Sequence, residues 1–152
     1  MTRMNGEGPT PPNPENNSPL FGAKTPELRQ LVVQCRRVHG DVSPETANAL
    51  VMLGDAYSVE GLASRAEAVA AYEQALAACG SNAAAQAAIY EKLAQSERQA
   101  ANFPGAADYT AKAVECWKRD PVTSQDSALI SAKEEKLREL QQVARVQKPG
   151  SR

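Results

Sequence analysis

A chain of 152 residues with 42% hydrophobic content is long enough to bury one core and too short for two domains of ordinary size. Its 17 lysines and arginines stand against 18 acidic residues, so no net field draws it to nucleic acid or to an anionic membrane surface. No apolar run approaches the roughly 20 residues that span a bilayer. The start, Met1 to Gly8, has neither a signal-peptide core nor an arginine-rich amphipathic pattern. The expected location is therefore cytoplasmic, without membrane insertion.

Residues 1–24 hold Pro9, Pro11, Pro12, Pro14 and Pro19 among asparagine, glycine and serine, with almost no large apolar side chain before Leu20 and Phe21. Such a stretch buries too little surface to offset its ordering entropy and is expected to be a disordered tail, as is 148–152. The Pro-x-x-Pro spacings at Pro9/Pro12 and Pro11/Pro14 lack close basic neighbours, which favours an inert tail over a polyproline ligand. The helical domain is expected over 25–147.

Its first helix opens at Thr25-Pro26-Glu27, read as cap, first-turn proline and first-turn acid, and runs to about His39 before Gly40. Ser43-Pro44-Glu45 repeats that signal and starts a helix with Leu50, Leu53, Gly54 and Tyr57 on one face, ending near Gly61. Ser64 followed by Glu67 reads as a capping box for a third helix, closed by Gly80. A fourth starts at Ser81 or Asn82, carries Ile89, Tyr90 and Leu93, and breaks around Asn102 to Gly105. The fifth is expected from about Gly105 to Lys118, closed by Asp120-Pro121, and the last from about Ser124 to Gln147. Ile130, Leu137 and Ala144 repeat at seven in that helix, but Lys133 interrupts the stripe, so a capping helix is preferred to a coiled coil. No segment alternates as strands do, and the domain is expected to be all-α.

The residue types that carry chemistry are sparse. Cys35, Cys79 and Cys116 are widely spaced and read as reduced thiols packed like small apolar residues. His39, the one histidine, sits beside Gly40 at a helix end and reads as solvated or capping. Cys35 and His39 are four residues apart, yet nothing supplies an oxyanion site beside them. With no glycine-rich phosphate loop and no metal-ligand cluster, the chain is expected not to be an enzyme and to hold no cofactor.

The informative feature is internal repetition. Leu50-x-x-Leu53-Gly54-x-x-Tyr57 corresponds to Tyr90-x-x-Leu93-Ala94-x-x-Glu97, and Ala68-x-x-x-Tyr72-x-x-Ala75 corresponds to Ala106-x-x-x-Thr110-x-x-Ala113. Two extra residues lie between the halves of the first copy. Small residues at Gly54, Ala68, Ala75, Ala94, Ala106 and Ala113 would let paired antiparallel helices approach closely. A plain bundle of amphipathic helices is the alternative reading.

The first copy, with Leu53-Gly54-x-x-Tyr57, Gly61 and Ala68-x-x-x-Tyr72-x-x-Ala75, resembles the signature of the tetratricopeptide repeat (TPR) family. Leu50 stands where that family usually has tryptophan. The segment from Gly40 to Ala47 resembles the inter-repeat loop of the kinesin-light-chain-type subgroup. The resemblance covers about residues 43–121, with repeats at about 43–79 and 82–118. It implies an all-α, TPR-like α-α superhelix of two helix-turn-helix repeats with flanking N- and C-terminal helices. Helix 25–39 would be the remnant of an earlier repeat and helix 124–147 a solvating cap.

What the resemblance further implies is a protein or peptide partner held in a concave groove. With Leu50, Leu53 and Tyr57 turned inward, Asn48, Val51, Met52, Asp55 and Val59 fall on the groove side. The matching set in the second copy is Glu91, Lys92, Gln95, Arg98 and Gln99. These are mixed in sign, so a strongly charged ligand is not expected. Val51 and Asp55 occupy places where the chaperone-binding members carry the lysine and asparagine of a carboxylate clamp, which disfavours that activity. Arrays of this kind generally need about three units, so self-association or a role as a structural subunit of a larger multiprotein assembly is the alternative expectation.

Overall fold

A computed structural model describes residues 24–147. They form six α-helices and two short 3₁₀ turns, with no strand among the described residues. The expected tails fall outside them, apart from Lys24.

Local signals set most of the boundaries. Helix α1 (Thr25–His39) is capped by Lys24, without a side-chain bond, and not by Thr25, which is already helical; Pro26 sits in the first turn, where its missing N–H is not needed. Helix α2 (Pro44–Glu60) has Ser43 as its cap, its hydroxyl oxygen accepting from the Thr46 amide at 3.1 Å. That cap is buried and reaches backward. Ser43 donates to the Thr46 hydroxyl oxygen at 2.9 Å, and Thr46 donates to the Gly40 carbonyl at 2.6 Å, so the end of α1 is tied to the start of α2.

Between α2 and α3 (Arg65–Ala78) the expected Ser64–Glu67 capping box is not made. Gly61, with φ of 105°, turns the chain into a 3₁₀ turn over Leu62–Ser64, and the Ser64 hydroxyl donates back to Glu60 at 2.7 Å. Helix α4 (Ala83–Gln99) is capped by Asn82, whose side chain accepts from the Ala85 amide at 3.1 Å. Helix α5 (Phe103–Arg119) begins two residues before the expected Gly105, because Asn102 caps it by accepting from the Gly105 amide at 3.2 Å and Pro104 fits its first turn. Helix α6 (Ser127–Gln147) begins after the expected Ser124. The Asp120 carboxylate gathers the amides of Val122 and Thr123 at 3.2 and 2.9 Å and folds Thr123–Gln125 into a 3₁₀ turn first.

Short connections force consecutive helices to pack antiparallel. The close seams are where the small residues recur: Ala68, Ala75, Ala106 and Ala113 are at most 1% exposed. Gly54 is the tightest, since a Cβ built on it would lie 2.5 Å from Cε1 of the Tyr72 ring. One core runs through α1 to α4, around Leu28, Val32, Leu50, Leu53, Tyr72, Ile89 and Leu93. A smaller one joins α5 to α6 through Ala106, Ala107 and Leu140, with Phe103 beside it. Of the two extra residues in the first copy, one prolongs α2 and the other lies in its 3₁₀ turn.

Alternate helices also meet. Arg36 of α1 donates to Gln74 of α3 at 2.8 Å, Lys92 of α4 to Asp55 of α2 at 3.0 Å, and Lys133 of α6 to Glu91 of α4 at 2.6 Å. Helices α2, α4 and α6 thus share one face, while α1 and α3 meet on the other. Two further ties join the rows. Arg29 of α1 donates to the Tyr57 hydroxyl at 2.7 Å, and Arg65 of α3 pairs with Glu97 of α4.

The seam generates a test in which the sign is informative. Gly54→Ala at an open helical site would stabilise by about 0.5–1 kcal/mol. Against a buried tyrosine ring it is expected to destabilise by about 1–3 kcal/mol, and Ala68→Leu by a similar amount. Urea denaturation reads both; a raised or unchanged midpoint for either variant removes that residue from the seam.

Candidate functional site

The shared face of α2, α4 and α6 carries two adjoining grooves. The first, of about 250 Å³, is lined by Asp55, Ser58 and Val59 of α2, Tyr72 of α3, and Lys92, Gln95, Ser96 and Gln99 of α4. The second, of about 460 Å³, has Glu91, Ala94, Gln95 and Arg98 of α4 on one side and Thr110 of α5 at its base. Its other wall is α6, which contributes Leu129, Ala132, Lys133, Lys136 and Leu140. Gln95 belongs to the lining of both.

Of the side chains expected here, Asp55, Val59, Lys92, Gln95 and Gln99 line the first groove and Glu91, Gln95 and Arg98 the second. Asn48 is exposed and is not among the lining side chains of either. Val51 and Met52 are half-buried and pack against the α1–α4 core.

The first groove is organised around Asp55. Its Oδ1 accepts from the Tyr72 hydroxyl at 2.6 Å, and Lys92 donates to both carboxylate oxygens at 3.0 and 3.2 Å. Ser58 Oγ lies 3.3 Å from the same tyrosine oxygen. Burial first, and then the Asp55 carboxylate, raises the Tyr72 phenol well above its ordinary range. A phenol held protonated by its surroundings and a carboxylate that accepts from two donors make a structural clasp.

In the second groove Glu91 is likewise occupied. It accepts from Lys133 at 2.6 Å and from the Trp117 indole N–H at 3.0 Å, and the Lys133 ammonium lies 5.7 Å from the Trp117 ring centroid. The reason this groove is the roomier lies in the repeat itself. Thr110 stands in the register of Tyr72, and Ala94 in that of Gly54, so no aromatic ring fills the corresponding space.

Sequence reasoning missed the α6 wall. Lys133, which interrupts the apolar stripe of that helix, is the signal that marked it: a cation placed among apolar positions needs a partner, and Glu91 supplies one.

The remaining candidates stand apart from the grooves. Cys35 and Cys79 are half-buried and Cys116 is buried, and all three are free thiols. Burial is the first cause that pushes the Cys79 and Cys116 thiols up, away from the reactive thiolate. His39 Nδ1 lies 3.7 Å from Glu45, and no hydrogen bond joins it to Cys35. Among the described residues no cluster of three or more His, Cys, Asp or Glu side chains is placed to hold a metal ion. No helix among them is long and apolar enough to cross a membrane.

The Tyr72 clasp gives stability a definite alkaline dependence. Unfolded tyrosine titrates near about pH 10, and the folded phenol titrates above that. Below about pH 10 both states are protonated and the contribution is intact; as the pH rises further the unfolded chain ionises first and stability falls. Urea midpoints taken from about pH 8 to about pH 11 are expected to fall less steeply in Tyr72→Phe than in the wild type. Equal slopes would show that the phenol is not held neutral by the fold.

No family model, curated protein or solved structure matches the chain.

Proposed function

We propose that the chain is a non-enzymatic protein-interaction module of the tetratricopeptide-repeat type, which holds a segment of a partner polypeptide along the α2–α4–α6 face. The observation that carries this reading is the pair of cross-helix ties, Asp55–Lys92 and Glu91–Lys133. They tie together three helices that are not consecutive in sequence, with the two grooves lying between them. The helix pairs that TPR proteins stack in a superhelix would produce this arrangement, with α2 and α4 as the leading helices of two repeats and α6 as the cap. A rigid groove on helices suits recognition of an extended segment or a helix, since little ordering is needed on the receiving side.

The carboxylates of both grooves are engaged with lysines, and the three thiols lie elsewhere. This supports binding over catalysis.

A role as subunit of a larger assembly is the second reading, favoured by Val33 and Val38 of α1, which are 61% and 66% exposed at the end of the array. One experiment addresses both. The tagged full chain is purified from its native source as wild type, as Gln95→Trp at the residue common to both grooves, and as Glu73→Lys on α3, with retained polypeptides quantified by mass spectrometry. Gln95→Trp is expected to reduce retention at least about tenfold, equivalent to about 1.4 kcal/mol, while Glu73→Lys leaves it unchanged. Equal retention by all three would move the binding surface away from the groove. Several substoichiometric clients would mark an adaptor, and one stoichiometric complex a subunit.

A further inference from the structure

The second groove differs in charge from the molecule that carries it. The chain has a formal net charge of -1, yet Arg98, Lys133 and Lys136 face this groove with Glu91 as its one carboxylate. Glu91 is engaged by Lys133 at 2.6 Å. That leaves Arg98 and Lys136, neither of which has a carboxylate within salt-bridge distance among the described residues. The first groove contrasts with it, because its Asp55 and Lys92 neutralise each other. Apolar surface accompanies these two cations: Leu129 is half-buried, Ala132 is exposed, and both line the same groove.

We infer that the groove between α4 and α6 seats an acidic stretch of polypeptide carrying a large apolar side chain. Its carboxylates pair with Arg98 and Lys136, and its apolar side chain covers Leu129 and Ala132. The inference rests on the reading of the chain as a protein-interaction module and adds the chemistry of the partner. It departs from the sequence-based expectation that mixed signs disfavour a strongly charged ligand. The signs are mixed in sequence, but pairing removes Asp55, Lys92, Glu91 and Lys133 from the balance and leaves a positive remainder.

Half-buried Arg98 is already partly desolvated, so a carboxylate placed beside it gains more than it would at an open surface. Arginine also suits the planar, two-oxygen geometry of a carboxylate. Nucleic acid fits less well. Two uncompensated cations are few against the roughly 6–10 phosphate contacts of an ordinary nucleic-acid binder. The groove is also lined by no aromatic ring on which a base could stack.

The test compares two fluorescein-labelled peptides on the full-length wild-type chain by fluorescence anisotropy. One alternates leucine with glutamate, and the other has glutamine in place of every glutamate. The glutamate peptide is expected to bind at least about tenfold more tightly, with the advantage shrinking as salt rises from about 50 to about 300 mM. Arg98→Gln combined with Lys136→Gln is expected to abolish the advantage, so that the variant binds the two peptides alike. Equal affinity for the two peptides, failure of both to bind, or equally tight binding of a labelled single-stranded oligonucleotide would each overturn the inference. The peptide comparison uses the unmodified protein, so it does not depend on the folding of any variant. Its failure is distinguishable from failure of the interaction-module reading, because equal affinities that both disappear in Gln95→Trp would remove the charge preference and leave a polypeptide groove standing.

Discussion

The face that carries the grooves depends on the contact between the bare backbone of Gly54 and the ring of Tyr72. It brings α2 and α3 close enough for the tyrosine hydroxyl to reach Asp55, one residue along the same helix. Asp55, oriented by that bond, is then met by Lys92 from α4. Packing within one helix pair is thereby coupled to the stacking of the next. A side chain at position 54 would disturb both, because the ring it displaced is the one that positions the ion pair.

The rest of the scaffold uses polar ties to compensate for a core rich in alanine, which buries little apolar area per residue. The Ser43–Thr46–Gly40 knot fixes the turn between α1 and α2 with bonds that are mostly shielded from water. At the other end Gln147 of α6 accepts from the Phe103 amide at 2.9 Å and donates to the Ala101 carbonyl, so the last residue of α6 closes the start of α5. Ala101 itself has a φ of 59°, a left-handed conformation uncommon for a residue with a Cβ. The start of α2 and the end of α6, two of the three helices that carry the grooves, are thus fixed by such ties.

How much of this was legible depended on whether the signal was local. Proline, glycine and serine delimit α1 and α2 within one residue, because N-capping and positive φ are properties of a few adjacent residues. The same logic failed at Ser64, where the pattern of a capping box was present but Gly61 had already redirected the chain and sent the hydroxyl to Glu60. It failed again at the start of α6, since Asp120 organises a turn several residues ahead of the helix. Helical spacing assigned Asp55, Lys92, Gln95 and Arg98 to the groove side, but it could not show that Val51 and Met52 pack inward. The α6 wall was out of reach, because Lys133 and Glu91 are 42 positions apart and only the tertiary fold brings them together.

The departures of the second copy from the first carry the most consequence. In the first, glycine and tyrosine at positions 54 and 72 fill the space between two helices. In the second, alanine and threonine at 94 and 110 share the register and fill less of it. A core tolerates such an exchange when total volume is conserved, and here it is not: a tyrosine ring gives way to the two small branches of threonine, and alanine at 94 adds only one methyl group. The unfilled volume opens beside α6 as the larger groove, with Thr110 at its base and Arg98 at its edge. Judged as a repeat, the second copy is the weaker match to its own template. Judged as a surface, it is where the fold gives up packing and where Arg98 and Lys136 have no carboxylate within salt-bridge distance among the described residues, the two conditions on which the proposed seating of an acidic segment depends.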